Sequence, residues 1–280
     1  MQKKCINYLL LSYFQRADFT RRYHKILKLS PYHVDTLTAY ATMLWNSGKP
    51  HQAKDMFEKA LRIDPLHLSA LINLGMALLS EGLPLAALAL FERAIAADPS
   101  SADAQLGFAI ANEDAGSIPG ADLDAAYQAA LRLCPLSAPA LYSYGRFLKA
   151  KRDDPDGAER CYRTALDINP DDVNVLLSYA TLLAEAAEFP RAEECYKRAL
   201  RAQPLNPHTL YGYAMLLCRW ERVFTRRPED PVRAARARTP RLAAADVCFR
   251  KVGLAIVAAA TVFSRGSHTH ARAPAHWKPY

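Results

Sequence analysis

The sequence predicts an all-α protein built from stacked antiparallel helix pairs, and three observations carry that prediction. Proline recurs at Pro31, Pro65, Pro99, Pro135, Pro170 and Pro204, with gaps of 34, 34, 36, 35 and 34 residues, and a period of this length marks a repeat architecture. Ahead of four of these prolines stands one pattern, A-x3-[FY]-x2-A-x4-P: Ala53, Phe57 and Ala60; Ala87, Phe91 and Ala94; Ala158, Tyr162 and Ala165; Ala192, Tyr196 and Ala199. Further upstream lies L-x2-[LY]-[GA]-x2-L, as Leu37, Tyr40, Ala41 and Leu44, and again from Leu71, Leu141 and Leu176. Spacings of three, four and seven place these apolar groups on one helical face, and no strand-like alternation competes with them.

Each unit is a first helix, a short polar turn and a second helix. Proline lacks an N–H and disfavours the helical region for the residue before it, so each second helix ends near its proline. Turn signals stand where the two helices reverse, as in Asn46-Ser47-Gly48-Lys49-Pro50 and Glu81-Gly82-Leu83-Pro84. The small residues Gly75, Gly145, Ala87 and Ala158 are expected to let the paired backbones approach closely.

Residues 1–33, with Phe19, Tyr23 and Ile26 before Pro31, form a degenerate leading helix pair. Five complete units follow, over 34–67, 68–101, 102–137, 138–172 and 173–206. The third departs most, with Leu123 in the small slot and a longer turn from Ala115 to Gly120. A sixth begins with Leu210, Tyr213, Ala214 and Leu217 in the expected slots, so the repeat domain is assigned to 34–218. From Arg219 to Arg241 the chain is rich in arginine and holds Pro228, Pro231 and Pro240, which suits an extended linker. A capping helix is expected near 242–263, where Ala245, Phe249 and Val252 reproduce the spacing, and 264–280 is expected to be disordered.

Charge follows the same division. The chain carries +8 overall, but residues 219–280 hold eleven Arg and two Lys against four acids, the first 30 residues carry +6, and 31–218 carry −7. The apolar run Leu254–Phe263 is short of the roughly 18–20 residues needed to cross a bilayer. Lys3 and Lys4 precede an apolar stretch too short and interrupted for a signal peptide, so cytoplasmic residence is expected. Six cysteines in 280 residues do not make a disulfide framework. Cys161 and Cys195 fill one slot of adjacent units, directly before the tyrosine, and are expected to be small buried thiols.

Chemistry has no visible seat. No C-x2-C or H-x3-H pair suggests a metal, and no G-x-S-x-G, G-x4-G-K-[ST] or G-x-G-x2-G suggests a nucleophile or a phosphate cradle, so neither enzyme activity nor a cofactor is expected. His33 and His67 follow repeat prolines and are expected in solvent. Asp154-Pro155-Asp156-Gly157 lacks the ligand order and final glutamate of a calcium loop. Asp156 is therefore expected to cap the next helix.

In unit length and in its L-[GA], A-x3-[FY], A and P slots, the chain resembles the tetratricopeptide repeat (TPR) family in four of five complete units. The resemblance implies a TPR-type α-solenoid, a superhelix of antiparallel helix pairs. It also implies a concave groove, lined by first helices, that takes a protein or peptide partner. The groove candidates are Asn73, Met76, Ile110, Tyr142, Arg146, Thr181 and Tyr211, with Thr38 and Leu106 at matching slots. Of the family's known modes, the carboxylate clamp fits only at Asn73, since Asp103 on the next first helix would repel a carboxylate. An asparagine ladder fails too, because the slots matching Asn73 hold Ala39, Gly107, Ser143, Ser178 and Gly212. The implied function is a non-catalytic scaffold or adaptor. The alternative is binding of an anionic partner, RNA, DNA or a membrane surface, through arginines such as Arg226, Arg227, Arg233, Arg236, Arg238 and Arg241.

Overall fold

The computed structural model describes residues 20–226 and 241–251. No strand occurs among them. Residues 20–29 form α1, and first and second helices then alternate. These are α2 (Val34–Asn46), α3 (Pro50–Ile63), α4 (Leu68–Ser80), α5 (Pro84–Ala97), α6 (Ala102–Ala115), α7 (Gly120–Leu133), α8 (Ala138–Phe147), α9 (Pro155–Ile168), α10 (Val173–Glu185), α11 (Phe189–Ala202) and α12 (Pro207–Arg226). Residues 241–251 form α13. The helices divide into two compact units, Met1–Tyr144 and Gly145–Tyr280, with the boundary inside α8.

The start of each first helix is set two residues after a repeat proline. There the side chains of His33, His67, Ser101, Ser137, Asp172 and Asn206 accept from the N–H of Thr36, Ala70, Ala104, Ala140, Val175 and Thr209, respectively. Each bond satisfies one of the backbone donors orphaned at a helix start. His33 is exposed, as expected, whereas the His67 side chain is only 17% exposed, and both act as caps. The second helices α3, α5 and α9 begin instead with proline, whose missing N–H costs nothing in the first turn. In α9 this shifts the expected cap by two residues. Because the helix starts at Pro155, Asp154 is the capping residue, accepting from Gly157 N–H at 2.9 Å, and Asp156 lies within the first turn.

The irregular gaps between prolines have local causes. The third unit takes up two additional residues in the Ala115–Gly120 turn, around the left-handed Gly116 (φ 61°). The fourth absorbs one as a π-helical turn, Leu148–Arg152, ending at the left-handed Asp153, the usual way a helix accommodates a single insertion. A left-handed residue recurs between first and second helices at Gly48, Gly82, Gly116, Asp153 and Ala187. At Ala187 (φ 61°) the Cβ makes this conformation unfavourable by roughly 1–2 kcal/mol. Ala187→Gly is therefore expected to stabilise the second unit by about 1 kcal/mol, less a small gain in unfolded-chain entropy. An unchanged or lower urea midpoint would refute this.

The core repeats the slots seen in the sequence: Leu37, Ala41, Phe57, Leu71, Phe91, Tyr162, Leu176 and Tyr196 are all buried. The small first-helix slots, however, do not serve backbone-to-backbone approach. A Cβ on Gly75 would lie 2.7 Å from Phe91 Cζ, and one on Gly145 would lie 2.7 Å from Tyr162 Cε1. The space is taken by the aromatic ring of the second helix. A matching glycine sixteen residues after that ring, Gly107 for Phe91 and Gly212 for Tyr196, makes room on the following first helix.

The sixth unit differs from its sequence reading. Residues 219–226 are the last two turns of α12 rather than linker, since the first proline comes only at Pro228 and two side chains of this stretch are packed. Trp220 stacks on Phe189 of α11 with ring centroids 5.7 Å apart, and Glu221 is 4% exposed. Arg241, at the start of α13, lies 4.1 Å above the Trp220 ring and 3.9 Å from Glu221. Ala245 and Cys248 are buried on α13. Cys248 precedes Phe249 just as Cys161 and Cys195 precede Tyr162 and Tyr196, but Phe249 is 38% exposed where those tyrosines are buried. Of the expected capping helix, 252–263 lies outside the described residues, as do 1–19, 227–240 and 264–280.

Candidate partner-binding faces

Two periodic devices hold successive helices and orient the faces they leave open. Rings seventeen residues apart meet at Tyr23–Tyr40 (5.5 Å), Tyr127–Tyr144 (5.8 Å), Tyr162–Tyr179 (6.4 Å) and Tyr196–Tyr213 (6.0 Å). The hydroxyl of the later tyrosine then donates to a carboxylate twenty residues earlier: Tyr144 to Asp124 (2.6 Å), Tyr179 to Glu159 (2.8 Å) and Tyr213 to Glu193 (2.8 Å). In the second unit Arg191 completes the arrangement, donating to Glu159, Glu188 and the Tyr179 hydroxyl. The Arg191 hydrogen bond holds the Glu159 carboxyl below its usual range, while burial and the Glu159 bond push Tyr179 up to about 12. This chemistry is structural: the carboxylate stays ionised, the phenol stays protonated, and neither is poised to move a proton near neutrality. A second tie runs between units of the repeat, where Arg93 and Arg198 each donate to the carbonyl of the preceding repeat proline, Pro65 and Pro170.

The seven groove candidates fall into both compact units. In the first, Asn73 is half-buried, and its Nδ2 donates to Thr42 Oγ1 of the preceding first helix at 3.3 Å. Met76 is 45% exposed, while Ile110 and Tyr142 are half-buried. In the second, Arg146 and Thr181 are exposed. Thr181 Oγ1 donates to Leu177 O at 2.9 Å and lies 3.5 Å from Tyr196 Oη. Tyr211 is 52% exposed, with its ring edge-on to Phe249 at 6.2 Å. Thr38 and Leu106 are buried, and Thr38 spends its hydroxyl on Val34 O. Sequence reasoning missed Phe249 as a neighbour of Tyr211.

Little here resembles a reaction centre. Among the described residues no group of His, Cys, Asp or Glu is arranged to hold a metal ion. The cysteines Cys134, Cys161, Cys195, Cys218 and Cys248 are free, and burial pushes the thiols of Cys161, Cys195 and Cys248 up, away from the reactive thiolate. A cleft of about 430 Å³ lies between α11, α12 and α13, lined among the described residues by Leu200, Pro204, Leu210, Tyr213, Ala243, Ala244, Val247, Cys248 and Lys251. Its lining is mainly apolar. Among the described residues no helix is long and apolar enough to cross a membrane.

Comparison with known proteins agrees with this architecture. Tetratricopeptide repeat family models match residues 41–102, 81–138 and 149–216, more than half of the chain. No curated protein sequence matches. Among solved structures, TTC0263, a thermophilic TPR protein of Thermus thermophilus, is 22% identical over 66% of this chain and 99% of its own, with a TM-score of 0.59. PilF of Pseudomonas aeruginosa is 18% identical over 74% of this chain and 97% of its own, with a TM-score of 0.56. A chain of the APC/C hetero-tetramer Cut9–Hcn1 is 13% identical over 81% of this chain and 46% of its own, with a TM-score of 0.66. At such identities the structures speak for the fold alone. With the periodic slots, the helix pairs and the family-model matches in agreement, this chain belongs to the tetratricopeptide repeat family.

Proposed function

We propose that the protein is a non-catalytic scaffold or adaptor that holds a partner segment along the open faces of its first helices. The observation carrying this reading is the division of α4 and α12 into two faces. Residues toward the second helices are buried, while Met76, Tyr211 and Met215 remain 45%, 52% and 48% exposed on helices otherwise rich in buried leucine and alanine. Methionine adapts to irregular apolar partners, and tyrosine anchors interfaces at low entropic cost. Asn73, Ile110 and Tyr142 in the first unit, and Arg146 and Thr181 in the second, add the polar and edge contacts that set register. The free cysteines suit a cytoplasmic adaptor.

The test is affinity capture with the full chain, with and without nuclease, read by mass spectrometry. Met76→Asp in the first unit and Thr181→Arg in the second, each checked for helicity, probe the two faces separately. A partner held by the open faces should drop at least about tenfold with one of the variants, the scale of losing one anchor contact of ~1.4 kcal/mol. Partners that survive both variants and vanish with nuclease would move binding to the arginines of 219–280. Arg241 would not be prominent among them, since it is engaged with Trp220 and Glu221.

A further inference from the structure

Charge in the first unit is divided between its two kinds of helix. Residues 34–144 hold six Lys and Arg against twelve Asp and Glu. Lys49 lies in a turn, Lys54, Lys59 and Arg62 on α3, Arg93 on α5 and Arg132 on α7. The first helices α2, α4 and α6 carry no Lys or Arg, yet hold Asp35, Asp103, Glu113 and Asp114. Residues four, seven and eleven apart share a helical face, and the 34-residue period repeats one such stripe on all three helices. Asp35, Ser69 and Asp103 make its row at the helix N-termini, and Asn46, Ser80 and Asp114 its row at the C-termini. All six are exposed. Between the rows lie Met76, 45% exposed, and the half-buried Asn73 and Ile110. The three helices are neighbours, since α4 lies against both α2 and α6 and Asn73 donates to Thr42 of the α2 stripe. The open face is therefore apolar along its middle and acidic on its rims.

We propose that the open face of α2, α4 and α6 takes a partner segment with an apolar centre and Lys or Arg on both flanks. This rests on the scaffold reading above and names the chemistry of the partner in the first unit. Apolar side chains of the segment cover Met76 and Ile110, while its cations reach Asp35 and Asp103 on one rim and Asp114 on the other. Asp35 accepts from His67 Nε2 at 3.0 Å but is 80% exposed, so a second cation can approach it. Asp103 and Asp114 stand about 16 Å apart along α6 at 1.5 Å per residue, one at each side of Ile110. Asp114 lies in the last turn of α6, where the orphaned carbonyls already make the helix end negative. Glu113 beside it accepts from the Tyr127 hydroxyl. An acid at that end works against its own helix, so helix stability does not account for Asp114. Exposed ion pairs add little affinity each, but they steer the encounter and select the sign of the partner. The same rims repel an acidic segment or a nucleic acid.

Selection of a random twelve-residue peptide display library on the full chain, at roughly physiological salt, tests the assignment. Peptides weakened by Met76→Gln, an uncharged change that keeps side-chain length and helix propensity, are those bound at the open face. These should carry Lys or Arg on either side of apolar residues. Their affinity should fall about fivefold in an Asp103→Asn/Asp114→Asn variant, the scale of losing two exposed ion pairs. Raising the salt to about 0.5 M should weaken them on the wild type and hardly at all on the double variant. Asp114→Asn alone should leave the urea midpoint unchanged or higher, which separates lost binding from lost folding. Face-bound peptides that are neutral or acidic, or that hold the double variant as tightly as the wild type, overturn this inference and leave the scaffold reading standing. If no selected peptide responds to Met76→Gln, the scaffold reading itself fails in the first unit. Self-association that the double variant abolishes and the peptides compete with would give the face to the basic ends of a second copy, and so overturn a separate partner.

Discussion

Phe91→Ala is expected to cost the first unit about 3–5 kcal/mol, the range for truncating a buried aromatic to alanine. The ring is fully buried and wedged between two first helices, with Gly75 of α4 on one side and Gly107 of α6 on the other. Most large-to-small cavities shrink because neighbouring side chains relax into them. Here two of the walls are glycines with nothing to move, so the void can close only if whole helices shift, which disturbs packing along α4, α5 and α6. Urea unfolding monitored by circular dichroism measures the loss. A loss under about 1.5 kcal/mol would mean that the helices collapse freely and that the ring is not the wedge between them.

Gly107→Ala reverses the usual sign of a helical glycine substitution. Within a helix, alanine is favoured over glycine by about 1 kcal/mol, so an unobstructed site would gain stability. At Gly107 the new Cβ would overlap Phe91 Cε1 outright and sit 2.5 Å from Cδ1 and Cζ, distances that no packed carbon sustains. The ring must move, and Gly75 on its other side leaves it little room. The net result is expected to be a loss of about 1–3 kcal/mol. Phe91→Leu in the Gly107→Ala background should recover part of it, giving a favourable coupling in the double-mutant cycle. Additive effects, or a stabilised Gly107→Ala variant, would break this account. Gly120, the first residue of α7, where a Cβ meets nothing within 4 Å, is a control free of the clash.

Much of this protein is determined by its sequence alone, for a physical reason. Residues three, four and seven apart share a helical face whatever surrounds them, and a proline ends a helix by its own covalent geometry. Repeat boundaries, the buried slots of Leu37, Phe57, Phe91 and Tyr196, and the family itself are legible for that reason. The ring pairs seventeen residues apart and the tyrosine–carboxylate bonds at twenty were equally present as constant spacings, and only the choice of which slots to align concealed them. The open faces are less legible. Tyr211 and Thr38 occupy the same slot, yet one is half exposed and the other buried, because exposure depends on the size and placement of helices from a neighbouring repeat.

Tertiary structure decided the remainder. Gly75, Gly107 and Gly145 mark places where something approaches closely, but only the fold shows that an aromatic ring, rather than a backbone, fills the space. Arg241 looks in sequence like one more solvated arginine, and Glu221 like a linker acid. Their meeting over Trp220 depends on α12 continuing to Arg226 and on α13 returning across an interval of the chain with no repeat pattern. Such contacts join residues whose separation follows no period, so no spacing rule can announce them.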